Sequence, residues 1–254
     1  MKSFMRLGAV TAVAALAAAA GTLPANAQAA QAADKGLSAA QSLVTARING
    51  RLETLNALAL AVNNAAHLTS SDRSTLSALI KGDISGLTTL RGKVAAETTV
   101  AAVRTDGTAM VDDYRVYLLV APKVHLANAF DVESAAQSAL QKLHDDVAAK
   151  LSAAGGGTSD EKSLLADLES QIQAAQQLSS GHVPTLLAIQ PGPNADAIRS
   201  ALAPLVTDAR TARKDLVQAR SDAKKLRADL GLGKHGKKQG SGSQGSDAPS
   251  TQGS

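Results

Sequence analysis

The chain has 254 residues, with 26 Lys plus Arg against 22 Asp plus Glu, no cysteine, no tryptophan, two tyrosines and two phenylalanines. Without cysteine no disulfide can reinforce the fold, so packing and helix propensity have to hold it together. Setting aside Lys2 and Arg6 of the N-terminal leader leaves 24 cationic against 22 acidic residues. The last stretch, with Lys234, Lys237 and Lys238 against Asp247, carries that whole excess. A near-neutral body with so few aromatics excludes the concentrated positive, stacking surface of a general nucleic-acid binder.

Residues 1–27 read as a secretory leader. Lys2 and Arg6 precede an apolar run from Leu7 to Ala20, then Pro24 and the triplet Ala25-Asn26-Ala27, which places the cut before Gln28. The run is shorter than the roughly 20 residues of a membrane-spanning helix, so an uncleaved anchor is the minor alternative. No twin arginine and no leader cysteine is present, and the expected destination is extracellular or the cell envelope, with nothing spanning the membrane after cleavage.

From residue 28 to 230 alanine, leucine, glutamine, arginine and aspartate recur at helical spacing, and alternating β-branched runs are missing. The expected fold is all-α, an elongated antiparallel helical bundle. A first helix is expected from Asp34 to His67, with Leu37, Val44, Ile48, Leu52, Leu55, Ala59, Val62 and Ala66 on one stripe. Ser70, Ser71 and Asp72 offer N-caps for a second, whose stripe runs through Leu76, Ile80, Ile84, Leu87, Leu90 and Val94. Between Thr98 and Thr108 the pattern weakens, with Thr98-Thr99 as a cap and Gly107 as a break. Pro122 should kink or divide the third helical region, because its ring removes one hydrogen bond and crowds the preceding turn. Helix then resumes to about Ala153, Gly155-Gly156-Gly157 ends it, and Thr158-Ser159-Asp160-Glu161 starts the next. That helix weakens near Gly181 and Pro184, and Pro191-Gly192-Pro193 is a firm stop.

The last helix, Asn194 to Leu230, has the clearest pattern. Leu202, Leu205, Ala209, Ala212, Leu216, Ala219, Ala223, Leu226 and Leu230 form a heptad seam, coiled-coil-like in its steps of three and four. Asp208, Asp215, Asp222 and Asp229 stand on one flank; Arg199, Arg213, Arg220 and Arg227 stand on the other, with Val206 interrupting their register. Such segregation points to a partner helix across the seam. The expected partner is another helix of the same chain, and parallel self-association, with acids of one copy facing arginines of the next, is the alternative. The tail 231–254 is Gly, Ser, Gln and Lys, is expected to be disordered, and could make weak, salt-sensitive contact with anionic envelope polymers.

Motifs for chemistry are sparse, and no cofactor is expected. Gly231-Leu232-Gly233-Lys234-His235-Gly236 has dinucleotide-fingerprint spacing but follows a helix instead of a strand. His67, His125, His144, His182 and His235 show no zinc spacing. His144-Asp145-Asp146 and the pair Asp131 and Glu133 read as solvated helix faces, since nearby acids on a helix diverge. No Gly-x-Ser-x-Gly elbow occurs, and the chain does not read as an enzyme. The block Asp112 to Phe130 holds Tyr114, Tyr117 and Phe130 beside Arg115. It reads either as a recognition patch or, preferred here, as tyrosines filling the core with their hydroxyls at its edge.

The leader, the Ala-Arg-Asp bias and the block Tyr114-Arg115-Val116-Tyr117-Leu118-Leu119-Val120-Ala121-Pro122 resemble alanine-rich helical secreted proteins of high-GC Gram-positive bacteria. The resemblance implies export and assigns no chemistry. The expected role is structural or interactive, through long helix faces. The alternative is a small-molecule or lipid-binding bundle with its site near Tyr114–Phe130.

Overall fold

A computed structural model describes residues 25–230. Its elements are α1 (Ala25–Asn64), α2 (Ser70–Ala96), α3 (Val100–Asp112), a π-helical turn (Val116–Val120), α4 (Ala121–Ala153), α5 (Ser159–Ser179), α6 (His182–Ala188) and α7 (Ala195–Asp229). No strand occurs among the described residues, so the fold is all-α. Most of the expected leader and the whole expected tail lie outside the described residues. None of the described helices is long and apolar enough to cross a membrane.

Short polar side chains start four of the helices. The Thr69, Thr99 and Thr158 hydroxyls accept from the amides of Asp72, Ala102 and Glu161, and the Asn194 side chain accepts from Ala197. At Thr158 the Glu161 carboxylate reaches back to the Thr158 amide at 2.7 Å, which completes a capping box. The second cap is therefore Thr69, one residue ahead of the serines expected there. The first helix also differs from expectation: it begins at Ala25 and ends at Asn64, leaving Ala66 and His67 exposed in the connection.

Two expected interruptions do not occur where the sequence placed them. Gly107 lies inside α3, packed against the Val44 side chain. Pro122 sits in the first turn of α4, where its missing amide is not needed. The break comes earlier, at Arg115, whose φ of 44° puts it in the left-handed region. Arg115 is held there by its side chain, which donates to Asp112 Oδ1 at 2.7 Å and to the Gly192 and Pro193 carbonyls, each at 2.8 Å. The turn before α4 and the turn before α7 are thereby tied together.

Apolar burial falls into two clusters along the molecule. The first joins α1, α2, α3, the π turn, α6 and the N-terminal halves of α4 and α7, around Ile48, Leu55, Ile80, Leu119 and Phe130. The second joins the C-terminal half of α4 with α5 and the rest of α7, around Val147, Leu168, Ile172, Ala212 and Leu226. Helices α1 and α2, and likewise α4 and α5, pack as antiparallel hairpins. Helices α4 and α7, at 33 and 35 residues, span both clusters and run in the same direction, since early residues of each share one depression and later residues the next.

Helix C-termini are closed from outside. Gln41 of α1 donates to the Val94 and Glu97 carbonyls at the end of α2 at 3.1 and 2.9 Å. Arg73 of α2 donates to the Val62, Asn63 and Ala65 carbonyls at the end of α1. Lys123 of α4, only 1% exposed, donates to the Leu187 and Ile189 carbonyls at the end of α6. A cation or amide donor at these positions meets the negative end of the helix dipole and the carbonyls the helix cannot satisfy itself.

Tyr114 lies over Gly86 so closely that a Cβ there would stand 2.7 Å from the ring. Gly86→Ala should therefore destabilise the protein by about 1–3 kcal/mol. In a Tyr114→Ala background the same change should stabilise it by about 0.5–1 kcal/mol, because only the helix propensity of alanine remains. Urea unfolding of the four proteins checks this; the same sign in both backgrounds would refute the close-approach reading.

Candidate functional site

The seam of α7 decides which of its flanks is free. Leu202, Leu205, Ala209, Ala212, Leu216, Ala219, Ala223 and Leu226 are all buried, chiefly against α5 and α4. The partner is thus a helix of the same chain, as preferred from the sequence. With alanine at half of these positions the backbones approach closely, and the shorter residues on either side of the seam are drawn toward the neighbours.

The acidic flank is used internally. Asp208 accepts from His182 of α6, Nε2 to Oδ2 at 2.9 Å. Asp222, 3% exposed, accepts from Gln171 of α5 at 3.0 Å and from Lys225 at 3.0 Å, with Gln218 beside it. Burial works against ionisation of Asp222, but the Gln171, Lys225 and Gln218 hydrogen bonds outweigh it and hold the carboxyl below the usual range. Asp215 is half-buried and Asp229 exposed.

The arginine flank faces solvent. Among the described residues Arg210, Arg213, Arg220 and Arg227 form no ion pair, whereas Arg199 pairs with Asp196 at 2.6 Å. Two depressions follow one another on this face between α7 and the segment leading into α4. The first, about 420 Å³, is lined by Tyr117, Leu118, Pro122, Arg199, Ala203, Val206 and Arg210 among others. The second, about 380 Å³, is lined by Asn128, Ala129, Val132, Glu133, Ala136, Arg213, Leu216, Val217 and Arg220. Val217 is 61% and Val132 39% exposed, so apolar surface lies open between the guanidinium groups. On α7, residues 199, 203, 206, 210, 213, 217 and 220 follow one another in steps of four and three, a second stripe beside the buried seam. It extends about 30 Å at 1.5 Å per residue.

Sequence-selected aromatics divide among different roles. Phe130 is core, stacked edge-on against His182 with ring centroids 5.2 Å apart. Tyr114 is partly buried against Gly86, and burial pushes its hydroxyl pKa up, helped by Asp113 and Asp83. Tyr117 does not fill the core as expected. It is 55% exposed with the Arg51 guanidinium 5.2 Å from its ring, because the π turn rotates it out of register with Tyr114. Arg115 is a structural tie, Tyr117 and the α7 arginines share one outer face, and Asp208, Asp215 and Asp222 lie on the inner side of it.

The expectation that Asp131 and Glu133 form a solvated face is overturned: they are 8% and 6% exposed. Residues two apart on a helix point in nearly opposite directions, and α4 is covered on both sides, by the α1–α2 hairpin and α6 on one and by α7 on the other. Asp131 accepts from the Thr69 amide at 3.0 Å, and burial raises its carboxyl despite that bond and with the help of Asp72. Glu133 stands at the junction of the two apolar clusters with its Oε2 buried and without a hydrogen-bond partner. Burial raises it to about 7, against the opposing pull of Arg213 and His182. A third raised acid, Asp83, reaches about 6 through burial, opposed by Lys123, whose own pKa is lowered by burial with Asp83 acting the other way.

The sequence did carry a signal for the groove. Val206, which interrupts the arginine register, and Val217, three and four residues from Arg220 and Arg213, complete an amphipathic stripe when read with the arginines. Glu133 had no such signal, since only the crossing of α4 with α6 and α7 buries it. No group of three or more potential metal ligands converges among the described residues. No protein-family model, curated protein or solved structure matches the chain.

Glu133, Asp83 and Asp131 all favour the neutral form in the folded state. Between about pH 4 and pH 7 the folded chain therefore binds more protons than the unfolded one, and stability falls as pH rises through that window. The chain should melt higher near pH 5 than near pH 8 on this account. Glu133→Gln should add about 1–3 kcal/mol at pH 8 and little at pH 5. Thermal unfolding across pH tests this, and a variant that gains equally at both pH values would show that Glu133 is ionised throughout.

Proposed function

We propose that this is an exported, non-catalytic docking protein that receives an acidic amphipathic helix along the face between α4 and α7. The leader read from residues 1–27 supports export. The carrying observation is the outer stripe of α7, where Arg210, Arg213 and Arg220, without ion-pair partners among the described residues, alternate with the half-buried Val206 and the exposed Val217.

An exposed arginine alone is a solvated charge. Arginines spaced with valines in steps of three and four, opposite a second helix that offers Val132, Ala129 and Ala136, match what a third helix requires. Such a helix would place its apolar anchors at i, i+3, i+4 and i+7 into the groove and its acids on the rim. Guanidinium groups favour carboxylates because their planar fork bonds both oxygens. A simple polyanion would gain nothing from the valines. Self-association through the α7 seam is less favoured, because α5 and α4 fill that seam and Asp208 and Asp222 of that flank are engaged inside. The aromatic block offers less to a lipid or small molecule: Phe130 is core, the partly buried Tyr114 covers Gly86, and Tyr117 stands exposed.

A photoreactive residue placed at Val217 in cells that export the protein should form an adduct whose crosslinked peptide is an acidic, helix-forming amphipathic segment. The same residue at Leu60, 63% exposed on α1, should not. Arg213→Glu with Arg220→Glu should reduce the Val217 adduct about tenfold or more while leaving the far-ultraviolet circular dichroism unchanged. An adduct that survives charge reversal, or whose peptide is basic, would overturn the assignment.

A further inference from the structure

We propose that the depression at Glu133 is a proton-linked acid subsite within that groove: a carboxylate of the docked helix lies between Arg213 and Arg220 and accepts a hydrogen bond from the protonated Glu133 carboxyl. This rests on the docking reading and adds the chemical identity of one contact and its control by pH.

Four observations bear on it. Glu133 is 6% exposed and lines the same 380 Å³ depression as Arg213, Arg220 and Val217. Its Oε2 is buried and lacks a hydrogen-bond partner among the described residues, although buried polar atoms are rarely left so. The rim supplies two guanidinium groups, and the floor is apolar, so an incoming carboxylate would leave water for a site of low dielectric. Burial raises the Glu133 carboxyl to about 7, which leaves it ready to take up or release a proton near neutrality.

These features conflict unless a proton moves. Two ionised carboxylates in one small apolar depression repel each other, and two arginines on its exposed rim only partly offset that. If Glu133 takes a proton from solvent, its O–H becomes a donor, the incoming carboxylate becomes the acceptor, and one net negative charge remains for Arg213 and Arg220. The Glu133 carboxyl then has a hydrogen-bond partner, and the proton is returned to solvent when the helix leaves. Other groups face Glu133 as well. Arg213 of α7 pulls on it electrostatically, while His182 of α6 is bonded to Asp208 of α7 and Asp131 of α4 to the Thr69 amide. His182 acts electrostatically on Glu133 from α6, so it needs its own control.

The test uses the full chain from Gln28 onward and a fluorescein-labelled helical peptide of leucine and glutamate heptads as probe, read by anisotropy. Binding should be about tenfold tighter near pH 5.5 than near pH 8.5, and calorimetry in two buffers of different ionisation enthalpy should show proton uptake on binding near pH 7. Glu133→Gln should bind with nearly the same affinity at both pH values, whereas His182→Gln should keep the pH dependence of the parent. A probe that binds equally at both pH values, or a Glu133→Gln variant that keeps the dependence, overturns the subsite and leaves the docking face standing. Failure of the probe to bind at either pH overturns both.

Discussion

Burial of the α7 seam against α5 and α4 is what the other features of this molecule follow from. There is no disulfide and little aromatic mass, so cohesion between long helices depends on leucine and alanine packed at short range. Alanine contributes little area per residue, about 25 cal/mol for each square ångström removed from water, but it lets backbones come close. The long seam compensates by extending through both apolar clusters. Once it is buried, the azimuth of every other α7 residue is set. Aspartates on one side are carried into contact with α5 and α6, where Gln171 and His182 receive two of them. Arginines on the other side are carried outward, beside α4.

A polar layer lies where the two apolar clusters meet. His182 and Asp208, Gln137 and Ser179, and the unpaired Glu133 all sit near the level where α6 gives way to α5 along α7. Buried polar groups at such a junction fix which residue of one helix lies beside which residue of the next, since sliding any helix by a turn would strand them. Glu133 differs from its neighbours because its burial is not repaid by a protein partner. A site that keeps an unsatisfied carboxyl beside an open depression and two unpaired arginines has the composition of a binding surface more than that of a core.

The short α6 and the turn after it hold the two ends of the bundle in relation. Lys123 closes the C-terminus of α6 from within, and Asp83 on α2 faces the same lysine. Arg115, in a left-handed conformation uncommon for a residue with a side chain, closes the next turn through the Gly192 and Pro193 carbonyls. Two cations from the start of α4 and the turn before it thus fix the direction in which α7 sets out. That direction places the outer stripe of α7 against Tyr117 at one end and Val132 at the other.

Periodicity in the chain determined the helical fold, the bounds of the last helix to within a residue, the Thr158 cap and the buried seam, because each depends on spacing within one helix or on a local hydrogen bond. The same spacing separated the acids of α7 from its arginines but could not say which flank would meet a neighbour. Tertiary structure alone decided that. It also buried Lys123, together with Asp131 and Glu133, the two acids that read as a solvated face when α4 is taken as a surface helix, and it turned Tyr117 outward through a π turn that no residue pattern announced. The reason is physical: burial of a charged group depends on how many helices cover its side of the cylinder, and that number is a property of the assembled bundle, absent from any single stretch of chain.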